Sequence, residues 1–314
     1  MNSGLELTHE YGRSLRARWQ GVDLFEYVYG PDDAQVESPR PYFHPVRTLG
    51  GELVSIYRPH DHVWHKGIAW SLPHVGPDNF WGGPTFVRGE GYRGLENNGA
   101  MGHESFEELG LDDRGGSGGG SDSGGVRFTE RLAWTTQKGR RVIEERRRVS
   151  AGVLPDAGAW QLSFETTLCN VSGAVIRMGS PTTNGRENAG YGGLFWRGPR
   201  SFTGGTVTMP TGTGGDEFMG QRAPWVALTG RHDGHDAAST LLFRESPENF
   251  CFPNQWFVRS SVFAGISPAP FFSEEYDLAE GTPLTLGYEV FVIDGAADQK
   301  QLEALAELPW PAAE

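Results

Sequence analysis

Polar and apolar residues alternate one for one through much of the chain, and glycine or proline breaks the alternation at short intervals. In WQLSFETTLCN, Trp160, Leu162, Phe164, Thr166 and Leu168 fall on one face of an extended chain, and Gln161, Ser163, Glu165 and Thr167 fall on the other. A period of two is that of a half-buried antiparallel strand. LTLGYEVFVID repeats the pattern with Leu286, Tyr288, Val290 and Val292. Residues 5–29 read as two short strands turning near Gln20 and Gly21, and VRFTERLAWTTQKGRRVIEERRRVSAG reads as a hairpin turning at Lys138-Gly139. Asp233-Gly234, between His232 and His235, signals a further hairpin. Helical spacing is confined to residues 297–308. No repeat of fixed period and no alternation of strands with helices occurs, which argues against a parallel nucleotide-binding sheet. The pattern predicts an all-β chain.

Composition widens that picture only in scale. A chain of 314 residues can form one large all-β unit, and 45 glycines, 20 prolines and 12% aromatic residues suit a chain that turns often and packs rings. The reading is a single all-β domain over residues 1–314. The low-complexity stretch DDRGGSGGGSDSGG, residues 112–125, is predicted to be a flexible loop, because the strand pattern resumes directly after it. Residues 76–102, rich in Gly, Trp, Phe and Asn, read as a long ordered loop system.

A net charge of -13 disfavours nucleic acid and anionic membranes as partners, since both are polyanions that need clustered Lys and Arg. The basic run from Arg140 to Arg148 is broken by Glu144 and Glu145 and reads as the solvated side of a strand pair. Cys169 and Cys251 give no disulfide framework, the first residues have no secretory pattern, and no run of 18 apolar residues occurs. The expected location is cytoplasmic, with the oligomeric state left open.

Candidate chemistry concentrates in RPHDHVWHKGIAW, residues 58–70, where His60, His62 and His65 stand beside Asp61, Trp64 and Lys66. Five of the nine histidines lie between His44 and His74. Together with RPYFHPV (40–46), GGLFWRGPRSF (192–202), WVALTGRHDG (225–234) and NFCFPNQWFVRS (249–260), this stretch resembles the PmoA-like family of bacterial proteins. The methane oxygenation in that name does not suit a chain without spanning helices. By analogy the overall pattern implies a β-supersandwich like that of galactose mutarotase, with a carbohydrate as ligand; fold alone does not give function.

Imidazoles exchange protons near neutral pH, so His60, His62, His65 and His44 are candidate acid/base residues, with Glu187 in NGRENAGYGG as the favoured carboxylate over Glu104, Glu274 and Glu275. Aromatic faces for a pyranose could come from Trp64, Trp81, Tyr191, Trp196 and Trp256, and polar contacts to hydroxyls from Lys66, Asn79, His103, Asn188, Arg197, Asn254 and Arg259. Proton transfer on a sugar, of the epimerase, isomerase, lyase or hydrolase type and needing no cofactor, is the first reading. A non-catalytic carbohydrate-binding or sensing protein is the alternative. A divalent metal on His60, His62, His65 and His103, supporting a metal-dependent oxygenase, is the weaker one, and it requires an extended backbone that turns His60 and His62 to one side. No phosphate loop and no CxxC pair occurs.

Overall fold

The alternating segments pair into two large antiparallel sheets in the computed structural model, which describes residues 4–112 and 125–310. The eight-stranded sheet runs from edge to edge through Leu5–Glu10, Ser14–Trp19, Val22–Val28, Tyr42–Val46, Ile68–Ser71, Gly193–Arg197, Gly265–Ala269 and Gln255–Arg259. The nine-stranded sheet runs through Gly212–Gly214, Thr206–Met209, Trp225–Arg231, Ala238–Glu245, Pro283–Asp294, Ala159–Asn170, Arg141–Leu154, Gly125–Thr135 and Ala100–Asp112.

The large core lies between these sheets, because alternate residues of both point inward and lose their water. Phe25 stacks on Trp160 at 5.6 Å, Tyr27 meets Phe128 at 4.8 Å, and Trp196 meets Phe243 at 6.3 Å. The expected inward set Trp160, Leu162, Phe164, Thr166 and Leu168 is buried to within 1%. The protein is therefore an all-β sandwich, as the period of two implied.

Two small apolar clusters cover the outer faces. Leu302 and Leu305 of the helix Gln299–Ala306 pack on Phe291 and Ile293, so the strand Pro283–Asp294 is covered on both sides rather than one. Asp298 caps that helix, its side chain accepting from Gln301 N at 2.8 Å. On the outer side of the eight-stranded sheet, Phe195, Phe257 and Ala269 meet Trp81 and Phe272.

Residues 5–29 form three strands instead of two. The first expected strand breaks at Gly12, whose φ of +77° suits a tight turn, and Gly12 N donates to the Tyr29 hydroxyl at 2.6 Å. The loop region 76–102 also contains a small hairpin, Thr85–Val87 with Gly91–Arg93. The turns at Gly139 and Gly234 lie where expected, both at positive φ. The low-complexity reading at 112–125 falls on residues 113–124, outside the described residues. Among the described residues, no helix is long and apolar enough to cross a membrane.

Candidate functional site

Residues 58–66 form a tight excursion rather than a strand. Tyr57 and Lys66 bridge its base, and the turns are closed by Arg58 N to His65 O, His62 N to Pro59 O and His65 N to His62 O. The turned backbone sends the histidines apart. His60 faces Arg200, whose Nη2 donates to its Nδ1 at 2.8 Å. His62 and His65 stack face to face, with centroids 4.7 Å apart and planes 13° from parallel.

Hydrogen bonds assign the protons of this stacked pair. Arg197 Nη1 lies 2.9 Å from His65 Nδ1, and a guanidinium has no acceptor, so Nδ1 holds the lone pair and the neutral ring carries its proton on Nε2. Burial, helped by His62, Arg197 and Arg40, holds His65 well below the usual imidazole range, so this ring is neutral. His62 is the mirror case. Its Nδ1 lies 2.9 Å from Asp61 Oδ2, so the carboxylate accepts Nδ1–H and the neutral ring's lone pair is on Nε2. One ring thus offers an N–H and its neighbour an imidazole lone pair backed by a carboxylate.

Asp61 ties the site together. Oδ2 also accepts from Arg197 Nη2 at 2.8 Å, and Oδ1 accepts from Arg200 Nη2 at 2.9 Å. Burial alone would raise its pKa, but Arg197 and His62 outweigh that and hold the carboxyl well below the usual range. The Arg197 guanidinium, almost wholly buried, stacks 3.9 Å above the Phe263 ring.

Rings pack beside the pair as a wall of the outer face. Trp81 stands edge-on to His65 at 5.6 Å and touches Tyr191 at 4.7 Å and Phe195 at 4.9 Å. Trp64 stands edge-on to His62 at 5.2 Å. The loop holding these rings depends on Asn79, whose Oδ1 accepts from Trp81 N and Gly82 N and whose Nδ2 donates to Thr85 Oγ1. Gly83, at φ +68°, lets the backbone lie against Trp64, where a Cβ would come within 2.7 Å of the indole. Asn79 therefore positions the wall and has no group left over for a ligand.

Other expected residues lie elsewhere. Lys66 is buried between Asp33 and Glu37, donating to Asp33 Oδ1 at 2.9 Å and to Glu37 Oε2, so its ammonium is fully engaged. His44 stacks on Tyr57 at 5.6 Å and bonds Ser55 Oγ at 2.8 Å; burial and Arg47 push its pKa down to about 4. Trp256 is wholly buried in the main core and donates Nε1–H to Ala223 O at 2.7 Å, which removes it from the wall. Asn254 is buried with Glu245 and Cys251. His103 bonds Glu130 at 2.7 Å and packs on Tyr29 and Phe106. Glu187 is on an exposed loop, and its neighbour Arg186 lies over the Tyr92 ring. Arg259 shares the outer sheet face with Phe257 and stands 3.7 Å from Asp216.

The metal expectation does not survive the turn. His60 points to Arg200 and His103 to Glu130, and among the described residues no three His, Cys, Asp or Glu side chains are grouped to hold an ion. Sequence reasoning missed Asp61 as the hub, together with Arg200, Phe195 and Phe263. The spacing of Arg197 and Arg200 in RGPRSF was a usable signal for the former pair; a phenylalanine in a serine turn gave none.

Comparison with known proteins places the chain. It spans about 40% of the length of the solved structures it matches. An α-galactosidase from Lactobacillus brevis aligns over 95% of this chain and 40% of its own, at 10% identity and a TM-score of 0.40. The α-galactosidase AgaA from Geobacillus stearothermophilus, as a variant in complex with raffinose, aligns over 93% and 41%, at 8% identity and a TM-score of 0.40. No curated protein matches. The family of unknown function DUF6807 matches residues 14–307, which corrects the resemblance to the PmoA-like family. The chain belongs to DUF6807.

Proposed function

We propose that this protein binds a carbohydrate against the Trp64–Trp81–Tyr191 wall and transfers a proton on it, with His62 as the base. The observation that carries the reading is the stacked pair itself. Two adjacent imidazoles with opposite proton positions supply an acceptor and a donor to one small molecule, and neither requires the other to ionise. Asp61 stabilises the imidazolium that forms when His62 Nε2 takes a proton, as an orienting carboxylate does in other imidazole bases. His65 serves as a hydrogen-bond donor through Nε2–H to the oxygen on which charge develops. The rings favour a ligand with one apolar face and several hydroxyls, which describes a pyranose.

Proton transfer can be followed without knowing the product. A panel of reducing sugars incubated with the protein in deuterium oxide should show loss of the signal of the proton on the carbon beside the carbonyl. His62→Gln should slow that exchange about a hundredfold, a typical share for a general base. Saturable binding of a sugar with no exchange supports a non-catalytic binder instead, and exchange unchanged by His62→Gln removes His62 as the base.

A further inference from the structure

The site collects positive charge on a strongly negative molecule. In a chain of net charge -13, the segment 58–66 and its contacts bring together Arg40, Arg58, Lys66, Arg197 and Arg200 against Asp33, Glu37 and Asp61. Asp33 and Glu37 are committed to Lys66 and Arg58 at one end of the segment. At the other end a single carboxylate, Asp61, serves two guanidiniums, and among the described residues neither Arg197 nor Arg200 has a second carboxylate partner. The Asp61 group therefore keeps one uncompensated positive charge.

Arg200 has the free valences. Its hydrogen bonds all run through Nη2, to Asp61 and His60, which leaves Nη1 and Nε without a protein partner among the described residues; the side chain is 52% exposed. A third arginine lies on the same face. Arg197 pairs across the sheet with Gly265, and Gly265 pairs with Arg259, so the two arginines lie on one face two strands apart, with the Phe263 ring packed over the glycine between them. Among the described residues the one carboxylate near Arg259 is Asp216 at 3.7 Å, whose oxygens are already taken by Ser260 N and the backbone and hydroxyl of Ser261; the Arg259 guanidinium also lies over the Phe257 ring.

We infer that the sugar bound here is an acidic one, a uronate, whose carboxylate is received by Arg200 and Arg259 on the Arg197 side of the stacked histidines. The inference rests on the proposed sugar-binding function and adds the substrate class to it. A carboxylate fits because a guanidinium fork matches its two oxygens and because the carboxylates present leave the cations around Asp61 in excess. The charge also helps the chemistry: a carboxylate neutralised by guanidinium makes the proton on the carbon beside it easier to remove, and His62 Nε2 is the base at hand.

The test is titration of the full-length protein, read by tryptophan fluorescence, with D-galacturonate, D-glucuronate, their methyl esters, galactose, glucose and galactose 6-phosphate. The free acids should bind about tenfold or more tightly than the esters and neutral sugars, a difference that shrinks with added salt. In Arg200→Gln the ratio of acid to ester affinity should fall toward one, the acids losing at least tenfold more affinity than their esters. Esters or neutral sugars binding as well as the acids, or the phosphate binding better, overturns the uronate assignment and leaves the sugar reading standing. Binding of none of the panel overturns both.

Discussion

Two groups of histidine and carboxylate can be compared within this one chain. Between the sheets, His103 bonds Glu130, Glu130 accepts from the Tyr27 hydroxyl, and Arg147 joins Tyr27 to Glu145, which also accepts from Trp134 Nε1 and Thr166. Glu130, Glu145 and Arg147 are no more than 2% exposed, and the two carboxylates and the guanidinium each have several partners. At the outer face, Asp61, His62, His65 and Arg197 form a group of similar chemistry, but His62 and Asp61 keep 38% and 31% of their side chains in solvent. The first group fixes the packing of two sheets. The second has bonding capacity to spare. Imidazole beside carboxylate is thus no sign of chemistry until its saturation is known.

That contrast breaks most visibly at Arg147. Arg147→Met leaves Glu130 and Glu145 as buried charges without their cation, and should cost about 3–5 kcal/mol, read as a lower midpoint in urea. The equivalent insult at the surface should scarcely register in stability. His62→Gln should change the midpoint by less than about 1 kcal/mol while removing about a hundredfold of proton transfer, separating structural from chemical histidine in one protein.

Smaller effects sharpen the comparison. Gly83→Ala places a Cβ 2.7 Å from the Trp64 ring and forces positive φ on alanine, so about 1–3 kcal/mol of stability and part of the sugar affinity should be lost together. A crystal structure of that variant should show the indole displaced. His74, on the short strand His74–Val75, gives the smallest effect. Burial lowers its pKa to about 4, so as pH falls below the ordinary imidazole value of about 6.5 the unfolded chain takes a proton that the folded one refuses. Stability is complete above that value and declines toward pH 4. Glu245, raised by burial to about 7, works in the opposite sense over an overlapping range, so the difference between His74→Phe and the parent is the quantity to measure. The variant should gain about 1 kcal/mol near pH 5.8 and almost nothing above about pH 7.

The sheets were legible because burial on alternate residues leaves its mark in the chain itself, as Trp160 to Leu168 show. The site was legible only in part. His62, His65, Trp64, Trp81, Tyr191 and Arg197 do converge, and composition alone drew attention to them. Their roles were hidden because residues 58–66 turn rather than extend, and periodicity carries no information about a loop. For the same reason Asp61, expected to face away from its neighbours on a regular strand, bonds His62. Trp256 was misplaced because a strand alternates: Phe257 took the outer face and left the indole inside.

The central claim is the opposite placement of protons on two stacked imidazoles, and it can be read without any ligand. Long-range proton–nitrogen correlation spectra of the uniformly nitrogen-15-labelled protein at about pH 8, where free imidazole is neutral, distinguish the two tautomers of each ring. With His62→Gln and His65→Gln spectra to assign the signals, His65 should be protonated on Nε2 and His62 on Nδ1. Finding both rings protonated on the same nitrogen would contradict the account.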